Sequence, residues 1–264
     1  MRRFIYAMFL SALAPATGHA TAANLQVTGT DMVVINENSV AISGHDLSGV
    51  ILEIADVDGT MINLRIDSAE PDPLKRDRWL YNLSVLGRSG NWQPFCDPGP
   101  DGLSLAFPIA GTVGPDGSFS NSSTKFTFSC TAGALAKCIR FGYAPWGTSD
   151  DGTSMLDHFR ACTRMVRADY CGNGEPHTRD GTLINIYDTL GIQSSEPGSK
   201  LEFEAAWGPD GAICVNHTRI PEIFGIAELQ AACGAKLSHL GRNCSQAAVT
   251  GHSGALLFND SARS

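Results

Sequence analysis

The sequence lacks the spacings that usually mark a metal or redox site. No C-x₂₋₄-C pair occurs, no HExxH or HxH motif is present, and the seven histidines are scattered over 264 residues. Basic residues are also few, since 19 of them face 27 acidic residues and leave a net charge of −8. That field repels polyanions. The sequence therefore predicts no metal site, no cofactor and no nucleic-acid partner.

Long apolar runs are absent as well. No stretch beyond the N-terminus stays apolar for 18 residues, so no transmembrane segment is predicted for the mature chain.

The N-terminus itself has two arginines, a short apolar run over residues 4–10 and small residues after it, which is the order of a secretory signal. Cleavage fits after Ala20 or after Ala22, so residues 1–22 are predicted to be a signal peptide. The protein is then secreted or periplasmic, with a charge of 17 − 27 = −10 once the two arginines are removed.

The cysteines agree with export. An even number of them without metal spacing predicts four disulfides formed in an oxidising compartment, although eight cysteines allow 105 pairings. All eight lie in the mature chain, at Cys96, Cys130, Cys138, Cys162, Cys171, Cys214, Cys233 and Cys244.

Two pairings can be discussed from spacing. If residues 154–170 form one helix, Cys162 and Cys171 are separated by a rise of roughly 13 Å, nearly double the ~7 Å limit for a cystine, and each must bond elsewhere. Cys233 and Cys244 are joined by a segment that contains two glycines and can fold back. We therefore predict a Cys233–Cys244 bridge.

Hydrophobic periodicity predicts mostly strands. Two period-2 runs, 50–54 and 62–66, flank Asp58-Gly59 and indicate an antiparallel hairpin. Helical patterns cover about 134–140, 154–170 and 221–236, and the tail 247–258 reads as a final strand.

These elements predict a mainly β protein of the α+β class, with antiparallel sheets, two or three helices and disulfide staples. We expect a single secreted cysteine-rich domain over residues 23–264. Its N-terminal part, about 24–95, is β-rich, and its second part covers about 96–246.

Residues 157–188 carry the densest set of polar side chains. A helix and a glycine loop bring together candidate acid/base groups and candidate anion-binding arginines. His177 is the preferred base because an imidazole titrates near neutral pH and a carboxylate could orient it. The candidate catalytic residues are His158, Asp169, His177 and Asp180, and the candidate anion-binding residues are Arg164 and Arg179.

The alternative interpretation of the same residues is a salt-bridged structural knot tethered by cystines. Under that interpretation Arg179 holds a buried carboxylate, and its loss destabilises the fold. The two interpretations differ in whether the side chains line one open cleft or are buried in mutual salt bridges.

One segment resembles a known family. The run Ala168-Asp169-Tyr170-Cys171, with Ala161–Arg167 before it and His177–Thr182 after it, is similar to the ADYC-domain family of secreted bacterial proteins. The resemblance covers roughly Gly49 to Cys244. It implies export and a cysteine-rich domain, and it transfers no activity and no catalytic residue.

Two functions follow as hypotheses. The preferred one is a non-catalytic envelope or extracellular module that binds a surface ligand such as a carbohydrate, with Trp92, Trp146 and Trp207 as candidate stacking surfaces. The alternative is a secreted hydrolase that uses the His/Asp/Arg cluster of residues 157–188.

Overall fold

The computed structural model describes residues 19–21, 25–35, 39–55, 59–99 and 102–263. Over this part the protein is mainly β with predominantly antiparallel sheets, which confirms the predicted fold class. The strands are β1 (His19–Thr21), β2 (Leu25–Thr28), β3 (Asp31–Ile35), β4 (Ala41–Ser43), β5 (Ile51–Ala55), β6 (Met61–Asp72), β7 (Lys75–Leu86), β8 (Trp92–Pro94), β9 (Leu105–Val113), β10 (Phe119–Cys130), β11 (Ile184–Asp188), β12 (Glu202–Gly208), β13 (Gly211–Val215), β14 (His239–Leu240) and β15 (Leu257–Ser261). The α-helices are α1 (Ala134–Phe141), α2 (Leu156–Arg167), α3 (Ile226–Cys233) and α4 (Gln246–Val249). No helix of these ranges is long and apolar enough to cross a membrane.

The largest sheet has seven strands in the order β1-β5-β6-β7-β9-β10, with β8 added beside β7. The predicted hairpin is confirmed, because β5 and β6 pair antiparallel with Leu52 opposite Leu64; its turn residues 56–58 lie outside the described ranges. The two predicted parts of the domain, about 24–95 and about 96–246, share this sheet, since β7 of the first part pairs with β9 of the second. The proposed signal peptide lies outside the described residues except for 19–21, which form β1 parallel to β5 at the sheet edge.

Alternation along β7 and β9 gives the large sheet two buried faces. Tyr81 and Ala106 point into a core closed by the small sheet β2-β3-β4 and by the 3₁₀ turn Gly44–Leu47. Their neighbours Leu80 and Phe107 point into a second core, which the helices cover. The sheet thus forms the middle layer of this half of the protein.

Helix α2 lies between two sheets. Phe159 packs edge-to-face on Phe119 of β10, with ring centroids 5.1 Å apart. Residues on other sides of α2 contact β12, β13 and β15 of a second sheet, whose strand order is β11-β15-β12-β13-β14. Seven of the twelve residues of α2 are therefore buried. This explains why its polar side chains must find partners inside the protein.

Four disulfides link the cysteines, and no cysteine of the chain is free. As predicted, Cys162 and Cys171 do not bond to each other. The predicted Cys233–Cys244 bridge is wrong, because each of these residues bonds across the fold to a strand or loop brought there by tertiary packing. The pairs are Cys96–Cys130, Cys138–Cys162, Cys171–Cys233 and Cys214–Cys244.

Several element boundaries differ from the sequence predictions. Helix α2 ends at Arg167 because Ala168 adopts a left-handed conformation, with φ of 51°. The helix predicted over 221–236 begins only at Ile226, where the Glu228 carboxylate accepts the Gly225 amide. Part of the predicted final strand is instead α4, and β15 begins at Leu257.

Candidate functional site

The end of α2 turns the chain sharply into the segment that follows it. The left-handed Ala168 is fully buried, and the amide of Asp169 donates to the Arg164 carbonyl, closing the last turn. Because of this reversal, the Asp169 side chain points back at Arg164.

Arg164 and Asp169 form an ion pair of 2.5 Å, with side chains exposed by 2% and 0%. The Arg164 guanidinium also donates to the carbonyls of Asp116 and Pro209. Helix α2 is thereby tied to the β9–β10 turn and to the β12–β13 turn.

Both oxygens of Asp169 also accept backbone amides. Its carboxylate accepts the backbone amides of Asn173 (3.1 Å) and Gly174 (2.9 Å). With Arg164 these donors satisfy both oxygens inside the protein. The Asp169 carboxylate is thus fully buried and has an internal donor on each oxygen.

Tyr170 joins a second buried ion pair. Its hydroxyl donates to Glu204 at 2.9 Å and accepts the Arg219 amide at 2.7 Å. Arg219 in turn meets both Glu204 oxygens at 3.0 Å and donates to the last carbonyls of α2, those of Met165 and Val166. Burial alone raises the pKa of Glu204, but the Arg219 guanidinium and its hydrogen bonds lower that pKa below the ordinary value.

Cys171 and Gly172 complete the segment by close backbone contact. Cys171 is bonded to Cys233 at the end of α3. Gly172 has φ of +67°, and a Cβ there would lie 1.8 Å from the Asp210 carbonyl oxygen. Only glycine lets the chain pass this close to the β12–β13 turn.

His158 lies in the first turn of α2, away from Asp169, which follows the other end of a helix of about 18 Å. It is 4% exposed and stacks on Tyr143, and among the described residues neither of its ring nitrogens has a hydrogen-bond partner. Burial lowers the pKa of His158, and the carboxylates of Asp188, Asp157 and Asp151 oppose that shift.

Of the two candidate histidines, His177 is the one on which the charge of Asp169 acts. Burial lowers the pKa of His177, while the charges of Asp169 and Glu175 act in the opposite direction. Its ring is stacked between Phe224, at 3.8 Å, and Tyr170, at 6.2 Å. The imidazole is thus half-buried in an aromatic stack.

Arg179 and Asp180 are exposed. Among the described residues, no ion pair or side-chain hydrogen bond reaches either side chain, and only the Arg179 carbonyl is bonded, by Thr182. The arginine that pairs with the buried Asp169 carboxylate is Arg164, which corrects the expectation for Arg179. Of the six candidates the structure brings together Arg164 and Asp169, with His177 beside them.

The tryptophans differ in exposure. Trp207 is fully buried, with its Nε1 bonded to Asn259, and cannot act as a stacking surface. Trp146 is 41% exposed and packs its indole edge against Gly29. Trp92 is half-buried, and the Arg65 guanidinium lies 4.6 Å from its ring centre.

The sequence analysis missed Glu204 and Arg219. The signal available was the second of the two carboxylates of β12, Glu204, which stands directly before the apolar run Ala205-Ala206-Trp207. A carboxylate buried in such a run requires a buried cation. That this cation is Arg219 follows only from the tertiary structure, in which the segment after β13 brings its guanidinium to Glu204 of β12 and to carbonyls of α2.

The geometry at the end of α2 thus consists of four consecutive buried residues, 168–171, each fixed by an internal contact. In the part of the chain that is described, no three His, Cys, Asp or Glu side chains converge as a metal site would require.

No curated protein and no solved structure shows significant similarity to this chain. The family model of the ADYC domain matches residues 44–221 and includes this segment. The chain belongs to the ADYC domain family.

Proposed function

We propose that the protein is a non-catalytic module, exported by a bacterium to the periplasm or beyond, that binds a surface ligand such as a carbohydrate. In this proposal the Ala168–Cys171 segment holds the fold together. One observation carries the non-catalytic role. The Arg164–Asp169 and Arg219–Glu204 pairs are buried, and in each pair the arginine bonds its carboxylate partner and also donates to backbone carbonyls.

The alternative, a hydrolase, requires a base within reach of a substrate proton. Asp169 is fully buried and its oxygens already accept three donors. His158 is also buried, and the His177 ring is stacked on Phe224. The candidate groups therefore favour a structural role.

Export is supported by the disulfides and by the N-terminal pattern. Four cystines fit an oxidising compartment. The proposed cleavage positions fall inside or just after β1, which within the described ranges is an edge strand paired with β5. Its removal leaves the other pairings of the sheet in place.

The test of the non-catalytic role is a turnover panel of ester, amide, phosphoester and glycoside substrates. We expect rates equal to those of a heat-denatured sample. Turnover that His177→Ala abolishes without lowering the melting temperature would instead establish the hydrolase. His239→Ala, at an exposed histidine outside the candidate site, is the matched control.

The test of export is the intact mass of the protein recovered from the medium or the periplasm. We expect the chain to begin at Thr21 or Ala23. A full-length mass, or a chain found only in the cytoplasm with free thiols, contradicts this part of the proposal.

A further inference from the structure

His158 is a buried polar side chain that nothing around it satisfies. It lies in the first turn of α2, and within the described ranges neither Nδ1 nor Nε2 meets a hydrogen-bond donor or acceptor. A buried polar group without a partner costs free energy, so native structures contain few of them. Packing alone therefore does not explain an imidazole at this position.

The ring of His158 lies on Tyr143, which joins the segment after α1 to the second sheet. The two rings are stacked, with centroids 6.3 Å apart. Tyr143 is fully buried, and its hydroxyl donates to the carboxylate of Asp188, the last residue of β11, at 2.6 Å. Burial and the Asp188 carboxylate raise the pKa of Tyr143, so the hydroxyl keeps its proton as the donor.

Asp188 also organises the turn of residues 188–193. Its carboxylate accepts the backbone amides of Leu190 at 2.6 Å, Ile192 at 3.2 Å and Gln193 at 2.7 Å. Together with the Tyr143 hydroxyl, these amides fill the acceptor positions of the carboxylate. A new donor to Asp188 must therefore displace one that is already there.

The same turn packs against the end of α1. The side-chain amide of Gln193 donates to the Phe141 carbonyl at 2.8 Å. Gly142 has φ of +114°, and a Cβ there would lie 2.6 Å from the Ile192 side chain, so the two segments approach closely. Leu190 packs on the core that the helices cover. Separation of the turn from α1 would thus expose apolar surface.

In the described part of the chain, the charges that act on His158 are those of three carboxylates. Asp157, on the same helix, is exposed and forms an ion pair with Arg160 at 3.3 Å. Asp151 lies on the exposed loop before α2 and is bonded to its own loop. Asp188 faces His158 from β11 and acts most strongly of the three. It is the carboxylate that a charged His158 would attract first.

We propose that His158 and Asp188 form a pH-dependent switch for the turn 188–193. When His158 takes a proton from the solvent, the imidazolium attracts the Asp188 carboxylate, which releases the Tyr143 hydroxyl and loosens the turn amides. The turn then separates from the end of α1. No covalent bond changes, and the switch does not depend on the proposed binding role.

The switch opens on the acid side. Burial lowers the pKa of His158 below its ordinary value of about 6.5, and the partial positive charge at the start of α2 also disfavours the imidazolium. The closed turn is therefore fully stable above about pH 6.5 and loses stability as the pH falls through the folded pKa.

The test follows the unaltered protein by NMR between about pH 7.5 and 4.5, with its disulfides intact. It records the ring resonances of His158 and the protection of the three turn amides against hydrogen exchange, corrected for the intrinsic rate at each pH. We expect this protection to fall about tenfold or more, with the same midpoint as the His158 ring, while the amides of β6 and β7 stay protected.

Two variants identify the group responsible. His158→Phe keeps a ring on Tyr143 but binds no proton, so the turn should stay protected over the whole pH range. His177→Phe is the matched control, because it replaces another partly buried, stacked histidine that follows the opposite end of α2. It should leave the pH response of the turn unchanged.

Protection of the turn amides that does not change with pH overturns the switch. So does an equal loss in His158→Phe, since the carboxylates alone would then be the cause. If His158→Phe does not fold, the unaltered protein still decides. A His158 midpoint that differs from that of the turn amides, or loss of β6 and β7 protection together with the turn, contradicts the proposal.

Discussion

Arg164 and Arg219 are 1% and 3% exposed, and each faces one carboxylate that is fully buried. Removing two charges from water is so costly that such a pair adds little net stability compared with apolar residues. Removing one partner alone is much worse, because the remaining charge stays buried and unpaired. The pairs are therefore needed for this arrangement of α2, although they are not its main source of stability.

Arg164→Met should lower the free energy of unfolding by about 3–5 kcal/mol, since it leaves Asp169 buried without its cation. Arg179→Met, at an exposed position, should change it by no more than about 0.5 kcal/mol. Urea unfolding of both variants measures the difference. Equal losses in the free energy of unfolding for the two variants would show that Arg164 does not stabilise the buried Asp169 carboxylate.

His158 should make the protein less stable in acid. Its folded pKa is lowered by burial below the unfolded value of about 6.5, so the unfolded chain binds the proton first. Its contribution to stability is complete above about pH 6.5 and is lost as the pH falls toward the folded pKa. His177 is shifted in the same direction and adds to this loss.

His158→Phe keeps a ring to stack on Tyr143 and should flatten this pH dependence, measured as unfolding free energies between about pH 7 and 5. His239→Asn, an exposed control, should keep the slope of the unaltered protein. Identical slopes for all three proteins would rule out His158 as a source.

Among the elements, α2 connects the large seven-stranded sheet to the second sheet. It bonds to α1 through Cys138–Cys162, and its carbonyl end receives the Arg219 guanidinium. Just after it, the chain passes the β12–β13 turn in direct backbone contact at Gly172. Both a close glycine contact and ion pairs therefore link the end of α2 to the second sheet.

An added Cβ has two effects here, backbone strain at positive φ and steric contact with neighbouring atoms. Comparing Gly172→Ala with Gly181→Ala separates them. Gly181 also has positive φ, of +81°, but nothing lies within 4 Å of its Cβ position, so its substitution should cost roughly 1–2 kcal/mol of backbone strain. Gly172→Ala should cost about 1–3 kcal/mol more, because the methyl group meets the Asp210 carbonyl. Thermal or urea unfolding tests the order, and equal losses would contradict the close approach.

Across the chain, the cystines connect parts that are distant in sequence. Cys171–Cys233 closes a separation of 62 residues and Cys96–Cys130 one of 34. Such links act chiefly by restricting the unfolded chain. Among the described residues they supplement three hydrophobic cores, two of which lie on opposite faces of the large sheet.

Peptide mapping without reduction should find Cys171 linked to Cys233 and Cys214 linked to Cys244. Replacing the Cys171–Cys233 pair by alanines should lower the free energy of unfolding by about 2–5 kcal/mol. A peptide linking Cys233 to Cys244 would refute the pairing described here.

Local patterns were enough to determine much of this protein. Alternation around Asp58-Gly59 predicted the β5–β6 hairpin, apolar spacing predicted α1 and α2, and helical rise alone showed that Cys162 and Cys171 bond elsewhere. The motif at Ala168–Cys171 indicated the family. All of these depend on neighbours in sequence or on a short motif.

Only the tertiary structure decided which distant groups meet. Arg164, not Arg179, faces Asp169 because the left-handed turn at Ala168 aims the carboxylate back at the helix. Cys233 bonds to Cys171 and not to Cys244 because α3 packs beside the end of α2. Such contacts depend on how helices and sheets pack, which adjacent residues do not encode.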